Sequence, residues 1–156
     1  MAGRNERSWF IRPATAADAD AISEILVAAG RAAWGPFLGE ARVEEANRGR
    51  LHPADLVAVD EEGILAFVSW NATTGEIDRL YTHPRGWRRG AGRALLERAL
   101  EALRTAGLEQ AWLVTEERNE GARRFYESVG WREEGPARVR DWHGVRLREP
   151  RYVKDL

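Results

Sequence analysis

The feature that most constrains this chain is a strand pattern that enters a turn rich in glycine and arginine and continues as a helix. It occupies residues 76–96, with EIDRLYTHP as the strand and its stop and RGWRRGAG as the turn. A helix N-terminus leaves its first amide N–H groups unpaired and carries about half a positive charge, so it binds anions that can approach it. Gly90 and Gly92 remove side chains that would block that approach. The stretch therefore indicates an anion-binding turn.

Arginines surround the same turn. Arg88, Arg89 and Arg93 supply cations that can pair with phosphate oxygens through two parallel hydrogen bonds. The alternative is a tight structural turn with solvated arginines. The letters GAGRA lack the third glycine of the dinucleotide fingerprint, and the Gly-Lys-Ser/Thr of a Walker loop is missing. We therefore expect a phosphate ester of another kind as the ligand.

The N-terminal part of the chain reads as one strand followed by helical segments. Residues 9–12 form a short apolar strand pattern. Thr15 and Asp18 have the spacing of a capping box, and the apolar stripe that follows them predicts a helix that stops at Gly30. We expect residues 31–49 to form a helix, loop and helix that cover the sheet.

The middle of the chain alternates strands with the clearest helix. Residues 56–59 and 64–70 read as an antiparallel hairpin across a polar turn, and a strand follows at 76–82. Residues 90–106 carry one apolar and one charged face, which predicts a helix. A strand, helix, strand order implies that the next strand, at 111–115, lies parallel to the strand at 76–82.

The C-terminal part contributes one helix and several strands. Asn119 can cap a helix that ends at Gly130, and the pattern is strand-like from Trp131 to Lys154. We therefore expect an α/β fold, a three-layer sandwich around a mixed, mostly antiparallel sheet with a central parallel strand pair. A length of 156 residues fits a single domain over residues 1–156.

Composition excludes several classes of function. A net charge of −1 provides no overall field for nucleic acid. Apolar runs stay well short of the roughly 20 residues that cross a bilayer, so we expect no membrane partner and a cytoplasmic location. The chain has no cysteine, which excludes disulfides and thiolate chemistry. His52, His83 and His143 are scattered without a second ligand at suitable spacing, so we predict no metal.

Two spaced blocks resemble the GNAT superfamily of acetyl-CoA-dependent N-acetyltransferases. The first, at 80–96, resembles the Arg/Gln-x-x-Gly-x-Gly/Ala motif of that family. The second, NEGARRFYESVGW at 119–131, resembles its block of asparagine, alanine, phenylalanine-tyrosine and glycine-aromatic positions. One position departs, because Trp87 stands three residues before Gly90, where the family usually has Arg or Gln. The backbone amides and neighbouring arginines of the turn remain.

The resemblance implies acetyl-CoA as co-substrate, with its pyrophosphate on the amides of the turn. It also implies that a main-chain N–H of Leu80 meets the thioester oxygen. Asn119 is either a contact to the pantetheine arm or an ordinary N-cap, and Arg123 reaches either the 3′-phosphate or solvent. The implied cofactor-binding residues are Leu80, Tyr81, Thr82, Arg88, Arg89, Gly90, Ala91, Gly92, Arg93, Asn119 and Arg123.

Aminolysis of a thioester needs a neutral amine and a proton for the departing thiolate. The resemblance places the hydroxyl of Tyr126 near the sulfur as general acid, although Tyr126 also fits as a core aromatic. Glu76 resembles the strand carboxylate that serves as base, and Asp78 lies two residues on, on the same face by strand alternation. The alternative for Glu76 is an exposed carboxylate at a strand end.

The function we predict is transfer of an acetyl group from acetyl-CoA to a primary amine, by direct attack in a ternary complex, because no serine has the context of a nucleophile. The alternative is a non-catalytic acyl-CoA-binding or sensing module. The acceptor is a small-molecule amine or a protein or peptide amine. We expect residues 31–50 and 135–148 to build its pocket, with Trp34, Phe37 and Trp142 either in that pocket or in the core. The C-terminal strands offer a surface for a homodimer.

Overall fold

The computed structural model describes residues 8–48 and 53–156, so His52 lies outside the described residues. The strands and helices follow the predicted order, with a short 3-10 turn before α1 and another after β4. Their bounds are β1 Phe10–Pro13, α1 Ala19–Leu38, α2 Glu40–Asn47, β2 Leu56–Asp60, β3 Gly63–Trp70, β4 Ile77–Thr82, α3 Ala91–Thr105, β5 Gln110–Val114, α4 Glu120–Ser128, β6 Arg132–Glu133, β7 Arg138–Trp142, β8 Val145–Glu149 and β9 Arg151–Asp155.

The strands form two antiparallel sheets and a hairpin. The first sheet has the order β1-β2-β3-β4, the second has the order β5-β9-β6, and β7 pairs with β8. The two sheets meet at a parallel bridge between Glu76 and Trp112, where the Trp112 N–H donates to the Gly75 oxygen at 3.0 Å. The predicted parallel pairing of β4 with β5 is therefore present, and in the described part of the chain it is confined to this bridge.

Helices cover both faces of the first sheet. Ile22 and Ile25 of α1 pack against Val57 and Phe67 on one face. Because successive side chains of a strand alternate, the neighbours of Phe67 on β3 face the other way, toward α3. The apolar stripe of α3 fills that second core with Leu95, Leu96, Ala99, Leu100 and Leu103. The predicted three-layer α/β fold is confirmed.

The predicted end of the first helix at Gly30 is wrong. Helix α1 continues to Leu38 and ends at Gly39, which has φ +89°. Gly30 instead lies where α2 crosses α1, because a Cβ built there would be 2.9 Å from Asn47 Nδ2 and 3.0 Å from Val43 Cγ1. Glycine at this position serves the close approach of two helices.

Strand β4 contains a bulge at Asp78. Ser69 of β3 lies opposite Arg79, and the next residue, Trp70, lies opposite Ile77. Asp78 is therefore the extra residue of the pair. A bulge of this kind shifts the alternation of the side chains that follow it by one position.

The packing on either side of the bulge shows that shift. Ile77 and Leu80, three residues apart, both pack into the core beneath α3, although unbroken alternation would put them on opposite faces. Tyr81 packs with the α1-side core. The bulge thus brings the side chains of Arg79 and Tyr81 to the face on which Glu76, one residue before Ile77, also lies.

Candidate active site

A cavity of about 500 Å³ lies between β4 and β5. On one side it is lined by β5 and by α4, through Leu113 and Tyr126. On the other side it is lined by α1 and the β7–β8 hairpin, through Trp34 and Trp142. The cavity is therefore bordered by residues that pack on both sides of the first sheet.

Tyr126 lines this cavity from α4 and is 8% exposed. Its ring packs edge-on against Phe125 and Trp131, with ring centres 5.2 and 5.7 Å away. Burial raises the pKa of its hydroxyl, so the phenol keeps its proton at neutral pH. Tyr126 is thus both a core aromatic, by its ring, and a protonated group at the cavity wall.

Glu76 and Asp78 line the cavity where β4 begins. Burial raises the pKa of Glu76, the neighbouring Asp78 carboxylate raises it further, and the charge of Arg138 opposes the change. A carboxylate whose pKa moves toward neutrality is a better proton acceptor at physiological pH. The two carboxyls predicted to lie together do so.

The outer edge of β4 offers backbone groups to the cleft. The His83 N–H donates to the Leu65 oxygen at 2.8 Å, which puts His83 among the residues that bond to β3. Because bonding alternates along an antiparallel pair, Tyr81 turns its backbone toward β3, and the N–H groups of Leu80 and Thr82 point away from it. These outward donors face the gap between the sheets.

Trp87 lies beside this edge. Its side chain is 50% exposed, and its Nε1 donates to the Thr82 carbonyl oxygen at 3.0 Å. That carbonyl is directed outward, as the alternation along β4 requires. The residue that departs from the family motif therefore covers one carbonyl of the open edge.

The glycine turn leads from β4 into α3. Gly90 has φ +83°, a left-handed conformation that favours glycine, and a Cβ built there would have no described atom within 4 Å. Ala91 is buried and starts the helix. A Cβ at Gly92 would lie 3.0 Å from Thr82 Oγ1. Arg88 is exposed at the tip of the turn, with φ +62°.

The other arginines of the turn differ in their surroundings. Arg89 pairs at 2.9 Å with Asp60, whose side chain is 7% exposed, and Arg85 pairs with the same carboxylate at 2.8 Å. Burial opposes ionisation of Asp60, but hydrogen bonds from the two guanidiniums outweigh it and lower its pKa to about 2. Arg93 is exposed and lies 3.4 Å from Glu97 on α3. Arg89 therefore fastens the turn to the protein, whereas Arg93 faces solvent.

Asn119 and Arg123 both have partners within the protein. The Asn119 Oδ1 accepts the Ala122 N–H at 3.2 Å, which is an ordinary N-cap, and Asn119 also lines the cavity. Arg123 Nε donates to the Tyr152 hydroxyl at 3.0 Å, and its Nη1 donates to the Glu117 carbonyl at 3.1 Å. The Arg123 guanidinium is thus used to hold α4 against the second sheet.

Sequence reasoning missed a charged group on the α1 side of the cavity. Arg79 lines it from β4, and Arg138 and Arg140 line it from β7. Glu149, which is 3% exposed, accepts hydrogen bonds from Arg140 and, at 3.2 Å, from Arg138. The alternate spacing of the two β7 arginines was a visible sign of a shared face, but the bulge that adds Arg79 was not.

The two segments expected to form the acceptor pocket do reach the cavity. Trp34 of α1 and Trp142 of β7 line it and meet edge to face, with ring centres 6.1 Å apart. They also pack against the small core between α2 and the β7–β8 hairpin. Phe37 packs against the same small core and lies beneath the Arg118 guanidinium, at 4.7 Å, and it is not among the described lining residues of the cavity.

Histidine side chains and long helices are the features of the described chain that bear on metal binding and membrane insertion. His83 Nδ1 accepts the Arg85 N–H at 3.1 Å and so stabilises the turn after β4. Within residues 8–48 and 53–156, no group of three or more His, Cys, Asp or Glu side chains is arranged to hold a metal ion. None of the helices in these ranges combines the length and apolar character needed to cross a bilayer.

Solved structures share this fold. A crystal structure from Rhodopseudomonas palustris, described as a GCN5-related N-acetyltransferase, matches with a TM-score of 0.79 at 20% identity, over 94% of this chain and 95% of that one. The PaiA N-acetyltransferase of Thermoplasma acidophilum, solved in complex with coenzyme A, matches with a TM-score of 0.74 at 18% identity, over 96% and 99%. The fold is that of the N-acetyltransferases.

The sequence identifies the family. The model of the acetyltransferase (GNAT) family matches residues 19–131. The chain belongs to this family, and the predicted resemblance is confirmed. A mycothiol acetyltransferase of Beutenbergia cavernae is 38% identical over 94 residues, which are 58% of this chain and 31% of that protein. The chain thus corresponds to about a third of the length of that relative.

Proposed function

We propose that this chain transfers the acetyl group of acetyl-CoA to a primary amine by direct attack in a ternary complex. The observation that carries the proposal is the cavity between β4 and β5. It brings the buried phenol of Tyr126, the carboxyl pair of Glu76 and Asp78, and the outward edge of β4 to one space. A family of acetyltransferases and a structural neighbour with bound coenzyme A agree with this chemistry.

The donor would lie along the outer edge of β4. Amide groups of its pantetheine arm can pair with the backbone as an added strand, and the Leu80 N–H can donate to the thioester oxygen. Its pyrophosphate would meet the amides at the start of α3, where Gly90 leaves open space and Arg88 and Arg93 are exposed. The side chains of Arg89 and Arg123 both have partners within the protein, so the proposal does not use them to bind the phosphates of the donor.

Glu76 would accept the proton that turns the ammonium of the acceptor into a free amine, with Asp78 raising its basicity. The amine nitrogen then attacks the carbonyl carbon, and the C–N bond forms while the C–S bond breaks. The thiolate gains a proton from the hydroxyl of Tyr126, the second proton lost by the nitrogen returns through water to the Tyr126 oxygen, and Glu76 releases the first proton to water. The sum is an N-acetyl amine, free coenzyme A and one proton released to water.

Replacement of Tyr126 tests this function. The Tyr126→Phe variant should lower kcat at least about 100-fold, because a positioned general acid accelerates a reaction by a factor on the order of 10²–10⁴. Its ring packing remains, so the melting temperature should stay close to that of the wild type. The readout is release of free thiol from acetyl-CoA with a panel of amines.

Tyr152→Phe is the matched control. Tyr152 is also buried, but its hydroxyl bonds to Arg123 and Glu127 and it is not among the cavity-lining residues described. Its loss should lower stability and leave kcat largely intact. Equal kcat in Tyr126→Phe and wild type would remove the acid from the proposal. Tight binding of acetyl-CoA without turnover on any amine would favour the sensing module instead.

A further inference from the structure

The α1 side of the cavity carries an excess of guanidinium groups. Arg79, Arg138 and Arg140 line it, and Glu149 is the carboxylate that lies among them. Glu149 can neutralise one of these charges. The carboxyls of Glu76 and Asp78 stand at the start of β4 in the same cavity. The cavity therefore offers carboxyls to an ammonium group and guanidiniums to an anion.

Arg79 differs from the two arginines of β7. It is half-buried, and among residues 8–48 and 53–156 it has neither an ion pair nor a side-chain hydrogen bond, whereas Arg138 and Arg140 both pair with Glu149. A guanidinium has five N–H donors arranged to receive a carboxylate or phosphate by two parallel bonds. A half-buried one without a protein partner has its donors available for a ligand.

The position of Arg79 follows from the bulge at Asp78. Without it, alternation would put Arg79 on the face opposite Glu76, beneath α3. With it, Arg79 lies on the α1 side, on the same face as Glu76 and Tyr81, and its positive charge opposes the rise that burial causes in the pKa of both. The bulge therefore adds a basic side chain to the face on which Glu76 already lies.

We propose that the acceptor is a small amine that also carries a carboxylate or phosphate, with its anion held by Arg79 beside Arg138 and Arg140 and its amine directed to Glu76. The inference rests on the proposed function and specifies its substrate class. Trp34 and Trp142 also line the cavity and offer apolar surface to a small apolar part of the acceptor. An acceptor that has an amine but no anionic group would leave the Arg79 guanidinium without an anionic partner.

Matched acceptors test this inference. Free amino acids are compared with their carboxamides, and phosphoethanolamine is compared with ethanolamine, so that the two pairs separate a carboxylate from a phosphate. The wild type should prefer the anionic member of at least one pair by about 10-fold or more in KM, because hydrogen bonds to charged groups are among the stronger ones. Arg79→Gln should reduce that preference by a similar factor, with an unchanged KM for acetyl-CoA.

Arg146→Gln is the control, because Arg146 is exposed on β8, in the same hairpin, and is not among the described lining residues. It should keep the full preference. Equal KM for anionic and neutral members in the wild type, or a preference that survives in Arg79→Gln, would overturn the inference while leaving acetyl transfer intact.

Binding is also measured by calorimetry with coenzyme A present, so that the result does not depend on turnover. If the anionic members bind and Arg79→Gln abolishes that binding, the inference is supported even when no amine is acetylated. Absence of acetylation would then count against the proposed function alone. Equal binding of charged and neutral members would overturn the inference whatever the activity.

Discussion

At the scale of residues, the proposed role of Glu76 as general base makes activity depend on the neighbouring Asp78 carboxylate. A general base acts in its deprotonated form, so activity falls as the pH drops through the pKa of Glu76. Burial and the Asp78 carboxylate both raise that pKa. The acidic limb of the pH–rate profile should therefore lie above the range of an ordinary glutamate. Glu76→Gln should lower kcat/KM by about 10²–10⁴-fold, the usual contribution of a positioned base.

Asp78→Asn separates the two carboxyls. It removes the like charge that raises the pKa of Glu76, so the acidic limb of kcat/KM should move to lower pH while the enzyme stays active. The measurement is the full pH profile with acetyl-CoA and one amine. Glu101→Gln removes the same charge from an exposed position on α3 and should leave the limb in place. A limb that does not move in Asp78→Asn would mean that another group sets it.

At the scale of elements, the turn before α3 combines two requirements. Its backbone must take a left-handed conformation at Gly90, and the first turn of the helix must remain accessible. A side chain in that conformation costs about 1–2 kcal/mol. It would also stand at the helix N-terminus, where an anion is expected to approach.

Gly90→Ala and Gly107→Ala distinguish the two requirements. Both glycines have φ above +80°, and a Cβ at either would have no described atom within 4 Å. Each variant should therefore lose about 1 kcal/mol of stability. Only Gly90→Ala should also raise KM for acetyl-CoA, because Gly107 lies at the far end of α3. Melting curves and steady-state kinetics provide the two readouts. A similar KM in both variants would argue against the turn as the pyrophosphate site.

Some features of the strands, helices and turns could be predicted from the sequence, and others could not. The order of strands and helices, the amphipathic face of α3 and the N-cap at Asn119 follow local rules of periodicity and capping, and they were predicted. The run of α1 through Gly30 depends on the approach of α2, which is a contact between segments. The bulge at Asp78 depends on pairing with β3. The inward direction of Arg89 likewise depends on Asp60, 29 residues away.

At the scale of the whole molecule, one core joins the two sheets. Ile77 of β4, Leu113 of β5 and Tyr152 of β9 belong to the same buried cluster, together with the apolar face of α3. Within the residues that the structure describes, the backbone hydrogen bonds between the sheets are confined to the bridge at Glu76, so the side chains hold the two sheets together. This continuity is what the prediction of a single domain requires.

That narrow bridge has a consequence for amide hydrogen exchange. The N–H groups of Leu80 and Thr82 point into the gap, whereas the N–H of Tyr81 is directed toward β3. If the pantetheine arm lies along β4, coenzyme A should slow deuterium exchange at Leu80 and Thr82 and change Tyr81 much less. Residue-resolved exchange, with and without coenzyme A, would measure this. Equal slowing at all three would instead indicate a general tightening of the sheet. Slowing confined to Leu80 and Thr82 would mark the gap between β4 and β5 as the place of a strand that the protein itself does not supply and that each catalytic cycle adds and removes.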